Sequence, residues 1–289
     1  MTDQTRLTST PAVPLTIVRP PVGWSGLNLR DLWLYRELIY FLTWRDLKVR
    51  YKQTLLGASW AILRPFLTMV VFSIFFGRLA EVPSDGMPYP IFAFVALLPW
   101  ELFSNALSVA SRSLVSNSHM ITKVYFPRII LPLSSTLSGL VDFLIAFVIL
   151  IGMMVFYGVS PTSGIWTLPL FLLLALITAL GVGLWLSALN VLYRDIGYIT
   201  PFLVQFWLFI SPVVYSTNLL TDQLGAQWEF LYALNPMVGV INGFRWALLG
   251  IETRAFGPGL AISVAVALVI LVSGVFYFRR MERQFADMV

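Results

Sequence analysis

Residues 130–157 read ILPLSSTLSGLVDFLIAFVILIGMMVFY, with Asp142 the single charged side chain in the run. About 20 consecutive apolar residues carry a helix across a bilayer, where no water is at hand to satisfy a backbone that does not pair with itself. Five more stretches of this kind flank it, at about 59–79, 91–109, 165–189, 198–217 and 258–278. The charges between them alternate in kind. Arg30, Arg36, Arg45, Lys48, Arg50 and Lys52 precede the first stretch, and segment 80–90 has Glu81 and Asp85 but no base. Arg112, Lys123 and Arg128 follow the second stretch, 158–164 is uncharged, Arg194 lies in 190–197, and the tail holds Arg279, Arg280 and Arg283. Lys and Arg concentrate on the cytoplasmic side of a membrane protein. The pattern predicts an all-α membrane protein of six transmembrane helices with both termini cytoplasmic.

Composition sets the class. In 289 residues, 58% are hydrophobic, 11% are charged and the mean hydropathy is +0.82, which excludes an ordinary soluble domain. The net charge of +5 is mostly the cytoplasmic bias, and no soluble module offers the basic face that nucleic acid requires. With no cysteine, disulfides and thiolate metal sites are excluded. The first residues are polar, carry Pro11, Pro14, Pro20 and Pro21, and lack an apolar core of the signal-peptide kind. The expected organisation is a flexible cytoplasmic arm over 1–29, an amphipathic interface helix over 30–52, a transmembrane domain over 53–283 and a short cytoplasmic tail over 284–289.

Charge density over 30–52 is too high for a span. Leu34, Leu38, Phe41, Leu42 and Trp44 are mixed with Arg36, Glu37, Arg45, Asp46, Lys48, Arg50 and Lys52, which suits a helix lying in the cytoplasmic interface with its apolar side to lipid. The alternative is a solvated helix packed on a partner protein. Span one opens with Gly57 and carries Arg64, which can snorkel to the interface, and Pro65, which would kink it unless neighbours satisfy the freed carbonyl. Glu101 in span two and Asp142 in span three are costly in an apolar setting, so each should be paired or face a polar cavity, as a structural acceptor or as a lining group. Residues 111–128 suit a short polar helix stopped near Pro127, fit either to dock on a partner or merely to connect two spans.

Residues 230–249 are apolar enough to resemble a seventh span. Asn235-Pro236 and Gly239 should break it, Arg245 lies inside it, and a seventh span would put the Arg279-Arg280 tail outside. Two short re-entrant helices dipping in from the outer face are expected instead, near a protein-covered or water-filled path. Reaction chemistry is scarce. His119 is the one histidine, the carboxylates are scattered, and neither a GxxxxGK[ST] phosphate loop nor a GxSxG elbow occurs. No cofactor is expected on this chain; if it pumps, a partner must supply the energy.

A set of short motifs then carries a family resemblance. Arg50-Tyr51-Lys52-Gln53-Thr54-Leu55-Leu56-Gly57 with Trp60 and Arg64-Pro65 resembles the first part of the ABC-2 type permeases. So do Leu97-Leu98-Pro99-Trp100, Lys123-Val124-Tyr125-Phe126-Pro127-Arg128, Asn190-Val191-Leu192-Tyr193-Arg194-Asp195, Ser211-Pro212-Val213-Val214-Tyr215 and Leu234-Asn235-Pro236-Met237. Singly each motif is weak; their order over about 30–283 is specific. The nearest subgroup is the bacterial polysaccharide exporters of the O-antigen type, with teichoic acid and capsule exporters as cousins.

The resemblance implies a homodimeric channel in the bacterial inner membrane above two copies of a cytoplasmic ATPase that binds ATP and Mg. It implies that spans one and five line the path and that the helix between spans two and three couples to the ATPase, here about Ser113–Lys123 with Asn117, Ser118, His119 and Lys123. Tyr193, Arg194 and Asp195 are expected to help fix the permease–ATPase geometry, or else to pair and cap locally. Aromatic side chains make up 15% of the chain and offer smooth surfaces to the apolar faces of sugars. Trp60, Phe66, Phe72 and Phe75 on span one and Phe202, Phe206, Phe209 and Tyr215 on span five are lining candidates, with Gln205, Ser211 and Ser216 as polar contacts. Each could equally face lipid or the interfacial belt. Arg45, Lys48, Arg50, Lys52 and Arg64 could steer the phosphates of a lipid-linked substrate at the cytoplasmic entrance, or serve retention alone. Competing readings are an exporter of a drug or small lipid, a membrane-embedded enzyme on lipid-linked sugars, which would need clustered acids or histidines, and a scaffold.

Overall fold

The computed structural model describes residues 29–52, 59–225, 227–253 and 256–285. Of the arm expected over 1–29, residues 1–28 lie outside them and Leu29 opens the first helix; the opening of span one at Gly57 and the last residues of the tail also lie outside. Along the chain run α1 (Leu29–Leu34), α2 (Arg36–Lys52), α3 (Ser59–Phe72, continued by a π-helical stretch Ser73–Leu79), α4 (Tyr89–Ser116), α5 (Ser118–Lys123) and α6 (Ile130–Tyr157). A 3₁₀ turn (Ser163–Thr167) leads into α7 (Leu168–Leu192), followed by α8 (Ile196–Ile210), α9 (Thr217–Leu224), α10 (Gln227–Tyr232), α11 (Pro236–Leu249) and α12 (Phe256–Met281). The described residues form an all-helical bundle.

Among the described residues, five helices are long and apolar enough to cross a membrane: Ser59–Leu79, Tyr89–Ser116, Ile130–Tyr157, Ser163–Leu192 and Phe256–Met281. The stretch expected as a sixth, 198–217, differs. Its helix α8 has 15 residues, about 22 Å against a hydrocarbon core of about 30 Å. Pro212 disfavours helical geometry at Ser211, which turns extended with φ −98° and ψ 149°. The proline expected to kink α3, Pro65, and Pro99 in α4 both lie within continuous helices, each shielded by neighbouring helices.

α4 is the centre of the bundle. Every residue from Ile91 to Trp100 is buried, with α6 and α7 as its main neighbours and α3, α8 and α11 also against it. α7 and α12 approach through glycine. A Cβ on Gly181 would come within 2.8 Å of the Leu271 backbone nitrogen, and one on Gly274 would fall on the Gly181 carbonyl. Small residues at crossings let backbones meet in a setting that gives little hydrophobic drive for helix association.

The region read as two re-entrant helices contains α10, a break at Ala233–Asn235 and the single longer helix α11. Asn235 and Pro236 make the break, because the Asn235 side chain accepts from the Met237 amide as an N-cap and Pro236 fits the first helical position. Gly239 does not break the helix as expected; a Cβ there would sit 2.6 Å from Ser263 Cβ, so its small size serves contact with α12. Almost all of α11 is buried. Its Arg245, 2% exposed, stacks 3.6 Å from the Phe92 ring centre and donates to the carbonyls of Val213 (3.0 Å) and Tyr215 (3.1 Å). Tyr89 donates to the Val214 carbonyl at 2.7 Å. These bonds satisfy the turn that ends α8, a place where free carbonyls would cost several kcal/mol each, roughly, in hydrocarbon.

The interface helix forms as two pieces separated at Tyr35. Its apolar residues do not all face one way. Leu42 and Leu47 are buried, with Leu42 in a cluster with Leu114 and Ile130, while Trp33, Tyr40, Phe41 and Trp44 are exposed. α2 is fastened to α6 through Asp142, which accepts hydrogen bonds from Arg50 and Tyr51, and Arg50 also donates to Ser138 Oγ at 3.2 Å. Burial, and then the bond to Asp142, raise the Tyr51 phenol above its ordinary pKa, so it remains a donor throughout the physiological range.

Removing a part-buried partner of a charge costs more than removing an exposed one. Asp142→Ala is therefore expected to lower the stability of the detergent-solubilised protein by about 1–3 kcal/mol, measured by denaturant unfolding, with Arg36→Ala, which removes an exposed side chain bonded to the Trp33 carbonyl, costing under about 1 kcal/mol. Equal losses for the two would remove Asp142 from its role as the anchor of α2.

Candidate substrate cleft

The two intramembrane carboxylates singled out from sequence open onto one cleft of about 290 Å³ between the end of α2, α3, α4 and α6. Each has an arginine from the sequence-derived entrance set. Asp142 is held by Arg50 and Tyr51. Glu101 lies 3.5 Å from Arg64 Nε, and Arg64 Nη1 donates to Asn105 Oδ1 at 3.1 Å. Trp60 supplies an aromatic wall and Gly139 lets α6 close on α4, where a Cβ would stand 3.1 Å from Leu102.

The two ion pairs differ. Arg50 and Asp142 are well engaged, at 30% and 18% side-chain exposure. Arg64 is 60% exposed while Glu101 is 18% exposed, and the buried Glu101 Oε2 has no hydrogen-bond partner. Arg64 is thus loosely held at the mouth, with planar N–H donors available to an incoming phosphate or carboxylate. Tyr51 and Asn105 were not singled out by residue type. Asn105 was legible by spacing, since it lies one helical turn from Glu101 and therefore on the same face; Tyr51 reaches Asp142 only through the packing of α2.

The other entrance bases lie elsewhere. Arg45 pairs with Asp46 at 2.8 Å and donates to Asn117 Oδ1 at 2.8 Å, Lys48 lies over the Trp44 ring at 5.7 Å, and Lys52 is exposed at the end of α2. Among the aromatic candidates on α3, Trp60, Phe66 and Phe75 are exposed. Phe72 is not: it is 9% exposed and packs edge-on to Phe76, 5.6 Å between centres, so it belongs to the interior of the bundle. On α8, Phe202, Gln205, Phe206 and Phe209 share an exposed side, with the rings of Phe202 and Phe206 4.5 Å apart. Tyr215 lies in the turn beyond α8, its hydroxyl 2.8 Å from that of Tyr232 and donating to the Phe209 carbonyl at 3.0 Å. Ser211 and Ser216 are buried in that turn, Ser211 as acceptor from Asn235 at 3.0 Å and Ser216 bonded to Asp85.

The coupling helix expected over Ser113–Lys123 is shorter in the structure. α4 runs on to Ser116, so Ser113 is a buried residue of α4, and the separate helix is Ser118–Lys123. Ile121 anchors it in the apolar cluster around Leu42, which leaves His119, Thr122 and Lys123 exposed, continued by exposed Val124 and Tyr125. Tyr193, Arg194 and Asp195 form the turn between α7 and α8, with the Asp195 carbonyl accepting from the Tyr198 and Ile199 amides.

Residues 37–249 match the ABC-2 type transporter family. The O-antigen export system permease protein RfbA of Myxococcus xanthus is 31% identical over 256 residues, 88% of this chain and 96% of that protein. The protein of the same name from Klebsiella pneumoniae is 25% identical over 254 residues, 88% and 95% of the two chains. The polysialic acid transport protein KpsM of Escherichia coli is 23% identical over 244 residues, 82% and 91%. A family match across most of the chain, a relative of this identity and coverage, and five apolar helices of spanning length make this a multi-pass protein of the bacterial inner membrane that belongs to the ABC-2 type transporter family.

Proposed function

We propose that this chain is the membrane-spanning subunit of an ATP-driven exporter that moves a lipid-linked polysaccharide of the O-antigen type out of the cytoplasm. The observation that carries the reading is the cleft, where a loosely held Arg64 stands beside Trp60 and Asn105. That set matches a substrate with a phosphate on one side and sugar on the other: a guanidinium for the anion, an indole face for the apolar side of a sugar ring, and an amide for its hydroxyls. The names of the RfbA relatives agree with it. Capsular polysaccharide is the second reading, favoured by the likeness to KpsM.

In this reading two copies of the chain enclose the path. The exposed aromatic side of α8 and the exposed Trp60, Phe66 and Phe75 of α3 supply its walls, and a second copy would cover side chains that a single copy leaves open. A smooth aromatic wall holds a sliding chain without deep wells. α8 with the Ser211–Ser216 turn serves as the fifth of six spans, and α9 to α11 form a re-entrant unit on the outer side, supported by the shortness of α8 and the burial of α11. Energy comes from a separate cytoplasmic ATPase that holds ATP and Mg and docks on the exposed face of α5 and the Tyr193–Asp195 turn. The chain itself carries out no reaction.

Three outcomes test this. Loss of the gene should remove glycan from the cell surface and accumulate it inside on its lipid carrier; an unchanged distribution overturns the reading, and loss of glycan from both places favours an enzyme instead. Exchange of 117–123 for a Gly/Ser linker should leave an inserted protein whose partner ATPase no longer drives export, and normal export would remove α5 from the coupling role. Labels placed at the exposed Phe230, Leu231 and Leu234 should be reachable from the outer face only, whereas access from the cytoplasm alone would overturn the topology.

A further inference from the structure

From Ile91 to Leu114, α4 is buried except at Glu101, Asn105, Ser108, Val109 and Arg112. Four of these five side chains are polar, and their spacing of four, three and four residues places them on one face of the helix. Polar side chains left open along an otherwise enclosed transmembrane helix do not face hydrocarbon, where they would be costly; they face water or protein. α3 and α8 meet this face at its two ends. Arg64 of α3 bonds Asn105 beside Glu101 at the deep end, and Arg112 donates to the Gly197 carbonyl at the start of α8, 3.1 Å away, at the cytoplasmic end. The two helices that bear the exposed aromatic side chains thus both touch the one polar face of α4.

We propose that Glu101, Asn105, Ser108 and Arg112 form a hydrated ladder on α4 that takes the hydroxyl groups of the passing glycan, from the cytoplasmic entrance at Arg112 inward to the cleft. The proposal rests on the export reading above and deepens it by assigning the polar part of the path to α4. The chemistry suits a polyol. A carboxylate accepts from sugar hydroxyls, an amide and a hydroxyl both donate and accept, and a guanidinium donates. These groups recur at every helical turn over about 16 Å, so a hydroxyl leaving one finds another close by. Aromatic walls on α3 and α8 would meet the apolar ring faces while the ladder meets the polar edges.

The natural chain has no cysteine, so each introduced cysteine is unique. Single substitutions Asn105→Cys, Ser108→Cys and, as a control on an exposed apolar site of α6, Val148→Cys are treated in inverted membrane vesicles with a charged, water-soluble maleimide. Asn105 lies four residues, about 6 Å, inside the limit of the apolar run 91–109, so reaction there faster than at the apolar control reports water beside α4. Labelling at 105 and 108 well above that at 148 is expected; labelling no faster than at 148 overturns the ladder. The second measurement is export by Asn105→Leu/Ser108→Leu, with insertion and partner binding checked on the same membranes. Export should fall about tenfold, the scale set by two lost hydrogen-bonding groups, and a wild-type rate overturns the proposal. These results are separable from failure of the export reading, because that reading fails when loss of the gene leaves the glycan distribution unchanged, whatever the label shows.

Discussion

A charge within a bilayer has to find its partner in the same protein, and the two acids of this bundle find theirs on different helices. Asp142 on α6 takes Arg50 and Tyr51 from α2, while Glu101 on α4 takes Arg64 from α3. These pairings set more than local energy. The first fixes the interface helix against the bundle, and the second brings α3 to the polar face of α4. The cleft exists because both pairs open onto the same space. Of the two arginines, Arg64 is the more open to its surroundings.

The same constraint governs the turn that ends α8. α8 stops at Ile210 and leaves a turn of irregular backbone, and such backbone is tolerated at membrane depth only under protein cover. The cover is α11, whose buried Arg245 closes two of the turn's carbonyls and rests on Phe92 of α4. Asn235 adds a link, accepting from Trp207 on α8 at 2.9 Å and donating to Ser211. The short motifs at 211–215 and 234–237 are therefore two sides of one joint, which accounts for a polar residue and a proline in each.

Much of this was legible beforehand. Five of the six expected spans coincide with helices of spanning length, because the bilayer imposes a minimum run of apolar residues. The break at Asn235-Pro236 follows from capping chemistry, and the requirement that Glu101 and Asp142 be paired follows from their cost in hydrocarbon. Where the structure departs from these expectations the cause is physical. Gly239 lies inside a continuous helix, where its small size lets α12 approach. Phe72, one candidate for the path, is buried, since helix spacing does not say which face a neighbour covers. α4 extends past the apolar run, through two last turns that hold serines and Arg112.

The sequence by itself determined a multi-span helical membrane protein and the presence of two acids in need of partners, since both depend only on local composition and on the bilayer as solvent. Which arginine meets which acid, that Tyr51 and Asn105 join them, and that the polar residues of α4 remain open while the rest of that helix is enclosed were decided by tertiary structure. The reason is that partner choice depends on how α2, α3 and α8 pack around α4, and those contacts join residues far apart in the chain, where neither periodicity nor charge pattern carries information.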